Sequence, residues 1–174
     1  AVSAFLLNRS SDLHVYLAGE DLCAQLRIDL LIQALCVVAD YAHAQNPDCL
    51  VIVDNTFSTP LLVQPLKLGA DVVVHSATKY LNSHGDVVAG FSVAHKEIME
   101  QIRMVGLKDI TGAVLGPQEA FLILRGLKTL KVRMDAVCAN TQKVVDFLAG
   151  SKYVQKVFYP SLENHPDHAV AAAK

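Results

Sequence analysis

The sequence predicts an α/β fold with a mostly parallel sheet, and two short apolar runs with the segment between them predict it. Residues 50–53 (LVIV) and 72–74 (VVV) are continuous runs of β-branched residues and leucine, typical of strands buried on both faces. The segment between them is long enough for a helical crossover, and strand–helix–strand order favours parallel pairing. A third strand candidate covers residues 87–94.

The composition is that of a globular protein. Of 174 residues, 52% are hydrophobic and 18% are charged, which predicts a filled core rather than disorder. The net charge is −2, so neither nucleic acid nor an anionic membrane is an expected partner. No apolar run reaches membrane-spanning length, and the first residues lack the basic region of a signal peptide.

The cysteines indicate a reducing compartment. Cys23, Cys36, Cys49 and Cys138 form no CxxC pair and show no metal-ligand spacing. We therefore expect reduced thiols, no metal site and a cytoplasmic location. Because the chain does not begin with Met, we also expect it to be processed or cut from something longer.

Helices are predicted between and after these strands. Residues 1–34 show no clean period overall, but residues 31–43 place apolar side chains at helical spacing. A short helix is predicted over residues 60–68, with Gly69 as its end, and another over residues 97–105.

The longest segment with helical periodicity follows a predicted loop, residues 106–116, which contains three glycines. Pro117 suits a helix start, apolar residues recur every three or four positions, and Gly150 ends the pattern. The sequence therefore predicts one long helix over residues 117–150 that connects two domains. Residues 154–160 (VQKVFYP) then predict a strand, with which a second domain begins.

Polar side chains follow the two buried strands where each strand ends. Asp54 comes directly after the first strand, and HSATK (residues 75–79) directly after the second. In open α/β sheets, ligands bind beyond the carboxyl ends of the strands. A full crossover separates Asp54 from Lys79, so we expect both residues at the same edge of the sheet.

A lysine at that edge is a candidate nucleophile. Partial desolvation lowers the proton affinity of an amine, which then forms a Schiff base with a carbonyl. Ser76 and Thr78 offer hydroxyl groups suited to a phosphate, and the Asp54 carboxylate can hold a pyridinium nitrogen protonated. Amine, hydroxyls and carboxylate together describe a pyridoxal phosphate site.

Each of these residues also has an ordinary structural explanation. A strand-end aspartate usually forms a turn or caps a helix, Ser and Thr before a helix are common caps, and a loop lysine is usually solvated. His75 is more often a buried hydrogen-bonding residue than a catalytic one. His84 lies in a glycine-flanked loop and is expected to be exposed. Only the conjunction of groups at two strand ends favours a functional site.

A long motif carries a family resemblance. Residues 51–90, VIVDNTFSTPLLVQPLKLGADVVVHSATKYLNSHGDVVAG, closely resemble the signature of the Cys/Met-metabolism pyridoxal-phosphate enzymes. The resemblance continues through residues 116–134 (GPQEAFLILRGLKTLKVRM) and 157–162 (VFYPSL). This family includes cystathionine lyases and synthases, methionine γ-lyases and homoserine sulfhydrylases.

The resemblance implies the aspartate-aminotransferase-like fold. On that basis residues 1–116 are a partial pyridoxal-phosphate-binding large domain, residues 117–150 the connecting helix, and residues 151–174 the start of a truncated C-terminal α/β domain.

The resemblance also assigns the site residues. It implies that Lys79 is the catalytic Schiff-base lysine and that Asp54 faces the pyridine nitrogen. It further implies that Ser76 and Thr78 bind the cofactor phosphate. The freed Lys79 amine would then move protons while elimination at the γ carbon of a small amino-acid substrate releases a thiol, a 2-oxo acid and ammonia.

The resemblance implies a homo-oligomer, either a dimer or a tetramer. Residues 83–86 (SHGD) and 106–112 (GLKDITG) are most similar to methionine γ-lyases and sulfhydrylases. Cystathionine γ-lyase, homoserine sulfhydrylase and a truncated non-catalytic relative are the alternatives.

Departures from the family pattern accompany the match. Ser83 stands where the family has a glycine, and a glycine there would suit a positive φ. The upstream asparagine and stacking tyrosine of the family have no counterpart before residue 31, and its C-terminal carboxylate-clamping arginine has none before the chain ends. The sequence thus predicts the lysine side of a site, with activity lowered where positioning groups are missing.

Overall fold

A four-stranded sheet organises the computed structural model, which describes residues 3–7, 25–166 and 168–169. The strands are β1 (Ser3–Leu7), β2 (Leu50–Asp54), β3 (Val72–Ser76) and β4 (Gly90–Ala94), hydrogen-bonded in that order. The α/β class is confirmed. The sheet is mixed, because β2 and β3 are parallel whereas β1 and β4 each pair antiparallel with their neighbour.

Strand β4 runs antiparallel because the chain turns back directly after β3. A parallel return needs a crossover of a dozen or more residues, usually helical. Residues 77–89 instead form turns and irregular structure, and Ser76 pairs with Gly90 at the start of the returning strand. The strand is therefore shorter than the predicted 87–94. Strand β1 lies in the region where the sequence showed no clean pattern.

Helix α1 (Gln25–Gln45) covers one face of the sheet. It contains the predicted helix over residues 31–43 and extends it at both ends. Its buried apolar side chains form one core cluster with β2 and the crossover that follows: Leu35, Ala39, Ala42, Cys49, Val51, Val53, Val63 and Ala70.

The crossover from β2 to β3 contains two short helical pieces rather than one helix over residues 60–68. Helix α2 (Thr59–Leu62) is followed by a 3₁₀ turn (Pro65–Leu68), because a proline at position 65 lacks the N–H that a continuous helix requires. Gly69 ends the turn as predicted, with φ of 93°. A Cβ at Gly69 would lie 2.9 Å from the Ala39 Cβ, so packing as well as conformation favours glycine.

After β4 the helical conformation extends further than predicted. Helix α3 (Lys96–Gln101) continues into a π-helical segment (Ile102–Thr111), which takes in most of the loop expected after residue 105. Gly112, with φ of 63°, ends this segment.

The helix predicted over residues 117–150 is divided in two. Helix α4 (Pro117–Leu127) and helix α5 (Leu130–Ala149) are separated at Lys128 and Thr129. The Gly126 carbonyl accepts a hydrogen bond from the Thr129 hydroxyl at 3.1 Å. It also accepts one from the Arg133 guanidinium at 2.8 Å and one from the Thr129 N–H at 3.2 Å, so a backbone group and two side chains satisfy it where the helix ladder is interrupted.

Residues 154–160 form turns and irregular structure rather than the predicted strand. They pack through Tyr159, which is buried against Val145 of α5. Without an adjacent strand in the described part of the chain, their backbone has no ladder to join. The domain division at residues 116 and 150 stays a prediction, and residues 167 and 170–174 lie outside the described residues.

None of the described helices is both long and apolar enough to cross a bilayer. The described cysteines, Cys36, Cys49 and Cys138, form no disulfide with one another.

Candidate functional site

The ends of β2 and β3 meet at one edge of the sheet. The two strands are parallel, Asp54 is the register partner of Val74, and the Asn55 N–H donates to the Val74 carbonyl at 2.9 Å. The turn that carries Lys79 begins at Ala77, directly after Ser76 and three residues beyond Val74. The expected convergence of Asp54 with the lysine turn is confirmed, because parallel register brings both carboxyl ends to the same edge.

The two faces of the sheet have different roles at this edge. Side chains alternate along a strand, so Asp54, Val74 and Ser76 share one face. Val53 and His75 share the other face, where Val53 packs against α1. His75 is therefore separated from Asp54 and Ser76 by the sheet, and the candidate site lies on the face opposite α1.

Thr56 links the two strand ends and was missed by the sequence reasoning. Its N–H donates to the Asp54 carboxylate at 3.0 Å, and its buried hydroxyl accepts a hydrogen bond from the Ser76 N–H at 2.7 Å. Thr56 thus fixes the position of the Asp54 carboxylate relative to the Ser76 backbone. An aspartate that accepts from the N–H two residues later is a common turn, and this local pattern was the available signal.

Two buried residues anchor the turn that carries Lys79. Ala77 is 0% exposed and Leu81 is 5% exposed, and both pack in a cluster with Ile123, Leu130 and Met134 from α4 and α5. The Lys79 N–H donates to the Ser76 carbonyl at 3.1 Å, and the Asn82 N–H donates to the Ala77 carbonyl at 3.0 Å.

Lys79 itself is exposed between these anchors. Its amine forms no ion pair with any residue in the described ranges. The turn is therefore rigid at its base and presents a primary amine that no described carboxylate neutralises.

The two predicted hydroxyl ligands have different surroundings. The Thr78 hydroxyl accepts from the Ala89 N–H at 3.0 Å and donates to the Ala89 carbonyl at 3.4 Å, so it joins the lysine turn to the residue before β4. The half-buried Ser76 hydroxyl has no hydrogen-bond partner among the residues that the structure describes. Ser76 is consequently the more available of the two for a ligand, and the ligand roles of Asp54, Ser76, Thr78 and Lys79 stay predictions.

His75 lies in an apolar environment away from the lysine. It lines a cavity of about 270 Å³ together with Asn55, Val73 and Val93. Its Nδ1 has no hydrogen-bond partner within the described structure. Burial lowers the pKa of His75 below its ordinary 6.5, and the Asp54 carboxylate and the Asn55 backbone oppose that shift.

This lowered pKa predicts a stability that depends on pH. Below pH 6.5 an unfolded chain protonates His75 while the folded chain resists, so the unfolded state binds more protons. We expect the contribution of His75 to be complete above pH 6.5 and to be lost as the pH falls through the lower folded-state pKa. Urea denaturation above and below this pH measures the effect.

The histidine responsible can be identified with two variants. His75→Gln should flatten this part of the pH dependence, whereas His95→Gln, at an exposed position, should retain it. An unchanged pH dependence in His75→Gln would show that another group is responsible.

The loop after the lysine turn has a positive φ at Ser83, the position where the family has a glycine. Ser83 has φ of 64°, a left-handed conformation that favours glycine, and Gly85 follows with φ of 70°. Asn82 is fully buried and donates to the Asp86 carboxylate at 2.5 Å. His84 is exposed, as expected.

Comparisons with known proteins match most of the chain to one family. The model of the family described as Cys/Met metabolism PLP-dependent enzyme matches residues 29–174. An L-methionine gamma-lyase of Fusobacterium nucleatum subsp. nucleatum is 58% identical over 143 residues, which are 82% of this chain and 36% of that protein. A cystathionine beta-lyase of Lactococcus lactis subsp. cremoris is 51% identical over 142 residues, 81% of this chain and 37% of that protein.

A solved structure supports the same fold. The crystal structure of cystathionine gamma-lyase from Lactobacillus plantarum complexed with L-serine superposes with a TM-score of 0.69 at 38% sequence identity. The match covers 79% of this chain and 35% of that one. The chain thus spans little more than a third of the length of the relatives that it matches.

Proposed function

The chain belongs to the family of Cys/Met metabolism PLP-dependent enzymes, and from that premise we propose that it carries the lysine-bearing part of a pyridoxal-phosphate-dependent carbon–sulfur lyase. The proposed reaction is γ-elimination from a sulfur amino acid such as methionine, yielding a thiol, a 2-oxo acid and ammonia. The observation that carries the proposal is the exposed Lys79, which lies on a turn anchored by the buried Ala77 and Leu81 at the sheet edge that Asp54 shares.

The donor set at this edge fits the cofactor. Lys79 offers a primary amine without a described ion-pair partner, and Ser76 offers a hydroxyl without a described hydrogen bond. Asp54 has one carboxylate oxygen occupied by the Thr56 N–H, which leaves the other for a ring nitrogen. Lys79 would hold the cofactor covalently, Asp54 would bind the ring nitrogen, and Ser76 with Thr78 would bind the phosphate.

Each residue would then have a distinct task. When bound, pyridoxal phosphate supplies an electron sink for the charge that develops at the α carbon of the substrate. The Lys79 amine, once free, would accept the α proton and deliver a proton later in the reaction. The negative charge of Asp54, fixed by Thr56, would favour the protonated ring nitrogen that makes the sink effective.

Relatives of more than one activity support a second candidate. Cystathionine β-lyases match almost as well as the methionine γ-lyases, and the two reactions expel sulfur from different carbons of the substrate. Lys79 and Asp54, at the sheet edge described above, would serve in either reaction. We propose methionine as the preferred substrate because the methionine γ-lyase reported above is 58% identical to this chain, whereas the cystathionine β-lyase is 51% identical.

A thiol-release assay distinguishes these candidates. The chain is incubated with pyridoxal phosphate and either methionine or cystathionine, and the free thiol is measured. We expect cofactor-dependent release that is faster with methionine. Faster release from cystathionine would favour the cystathionine lyases, and no release from either substrate by a cofactor-loaded chain would favour a non-catalytic relative.

The homo-oligomer implied by the resemblance stays a prediction. Large apolar side chains on the outer surfaces of α4 and α5, such as Phe121 and Phe147, support it, because an exposed apolar surface usually marks an interface.

A further inference from the structure

Arg133 of α5 connects the helix break to the lysine turn. Its Nη1 donates to the Tyr80 carbonyl at 2.7 Å, across 53 positions of sequence. Its Nη2 donates to the Gly126 carbonyl at 2.8 Å, and its Nε donates to the Thr129 hydroxyl at 3.0 Å. Nε, Nη1 and Nη2 of Arg133 therefore each donate a hydrogen bond, and one of the acceptors is the carbonyl of Tyr80, the residue directly after Lys79.

The contacts around Arg133 leave little freedom to the turn. Gly126 approaches the turn so closely that a Cβ there would lie 2.7 Å from the Asn82 carbonyl oxygen. On the other side, the Tyr80 ring packs edge-to-face on Phe57, with ring centroids 6.0 Å apart. Phe57 belongs to the segment that follows Asp54. The turn thus lies between the helix break and the loop after β2, and Arg133 connects its backbone directly to α5.

We propose that Arg133 is a positioning residue: by binding the Tyr80 carbonyl it fixes the backbone of the turn that carries Lys79 at the sheet edge that Asp54 shares. The inference rests on the proposed role of Lys79 as the cofactor lysine. A guanidinium suits this task because its planar fork binds two carbonyls in a fixed relative geometry, which a single point charge does not do. Without it, the Tyr80 carbonyl loses its guanidinium donor, and the backbone next to Lys79 is held less firmly.

A purely structural role of Arg133 makes a different prediction. If the guanidinium only stabilises the break between α4 and α5, its removal lowers the stability but leaves the cofactor chemistry of the folded fraction unchanged. If it positions Lys79, the environment of the amine changes in the folded protein. The pH at which the Schiff-base absorbance titrates reports that environment, because nearby charges and desolvation set the proton affinity of the imine.

The test compares Arg133→Ala and Arg133→Lys with two controls on the same helix. Lys131→Ala removes an exposed ion pair with Asp135, and Val145→Ala lowers the stability at a buried site away from the turn. For each protein, the absorbance of the pyridoxal phosphate adduct is titrated against pH and against cofactor concentration, under conditions where the protein is folded. Pyridoxal phosphate with free lysine serves as the reference for an unpositioned amine.

We expect Arg133→Ala to move the pH midpoint towards that of free lysine and to weaken cofactor binding about tenfold, the scale of one charged hydrogen bond. Arg133→Lys should restore part of both values, since an ammonium can still donate to the Tyr80 carbonyl. Both controls should keep the wild-type midpoint. If Arg133→Ala does not fold, Arg133→Lys still tests the proposal, because its pH midpoint should shift in the same direction by a smaller amount.

A failure of the positioning role of Arg133 can be distinguished from a failure of the proposed function. A wild-type absorbance with the same midpoint in every Arg133 variant would overturn the positioning role and leave the proposed function standing. No absorbance in the wild type would overturn the proposed function and this inference together. Hydrogen exchange adds a measurement that needs no cofactor. The Lys79 and Asn82 amides should exchange faster in Arg133→Ala than in Val145→Ala, and equal rates would contradict the positioning role of Arg133.

Discussion

Lys79→Ala is expected to abolish the visible absorbance that the chain acquires with pyridoxal phosphate. The variant removes the amine that would form the Schiff base, and noncovalent contacts alone do not produce that absorbance. Thiol release from methionine should fall by a factor of roughly 10² to 10⁴, the usual contribution of a positioned acid–base group. Absorbance spectroscopy and the thiol assay on the same preparations measure both effects.

The stability of this variant should be unchanged. Lys79 is exposed and has no ion-pair partner among the described residues, so the free energy of unfolding should change by no more than about 0.5 kcal/mol. Lys96→Ala, at an exposed position on α3, is the matched control and should keep the absorbance. Retention of the full absorbance in Lys79→Ala would mean that another lysine carries the cofactor.

Gly126→Ala is expected to destabilise the fold by about 2 kcal/mol, because an extra methyl group in a packed site forces the backbone to move. The new Cβ would lie 2.7 Å from the Asn82 carbonyl oxygen and 3.0 Å from the Asn82 Cα. Both are backbone atoms of a fully buried residue, so neither can rotate away. The better helix propensity of alanine offsets at most about 1 kcal/mol of this loss of stability. Urea denaturation measures the difference.

Gly106→Ala is the control for this prediction. Nothing lies within 4 Å of a Cβ built at Gly106, so this variant should be neutral or slightly stabilising. The displaced Asn82 ends the lysine turn, and Gly126→Ala should therefore also weaken cofactor binding, which Gly106→Ala should not. Equal stabilities of the two variants would mean that α4 can move away from the turn without cost.

The sheet and the candidate site were predictable to different extents. The β-branched runs correctly placed β2 and β3, but the burial predicted for both faces was wrong: alternate residues of each strand are only half-buried. Their parallel pairing followed from the length of the crossover, and it brought Asp54 and Lys79 to one edge. The antiparallel direction of β4 was not predictable from its own residues, because direction depends on how residues 77–89 fold rather than on the strand pattern.

The helix break shows the limit of periodicity most clearly. The apolar spacing continues through Lys128 and Thr129 as though one helix covered residues 117–150. The Gly126 carbonyl there accepts the Thr129 N–H, three residues on, together with the Thr129 hydroxyl and the Arg133 guanidinium, in place of the regular helix ladder. These are individual polar contacts, and a hydrophobic pattern carries no information about them.

The sequence by itself determined the α/β class, the two central strands and the family, because these depend on local composition and on a long uninterrupted motif. Only the tertiary structure decided how the lysine turn is held. Thr56 bridges two strand ends, and Arg133 reaches across 53 positions to the Tyr80 carbonyl. Such contacts join residues that are far apart in the chain, and their geometry exists only once the sheet and the helices have packed.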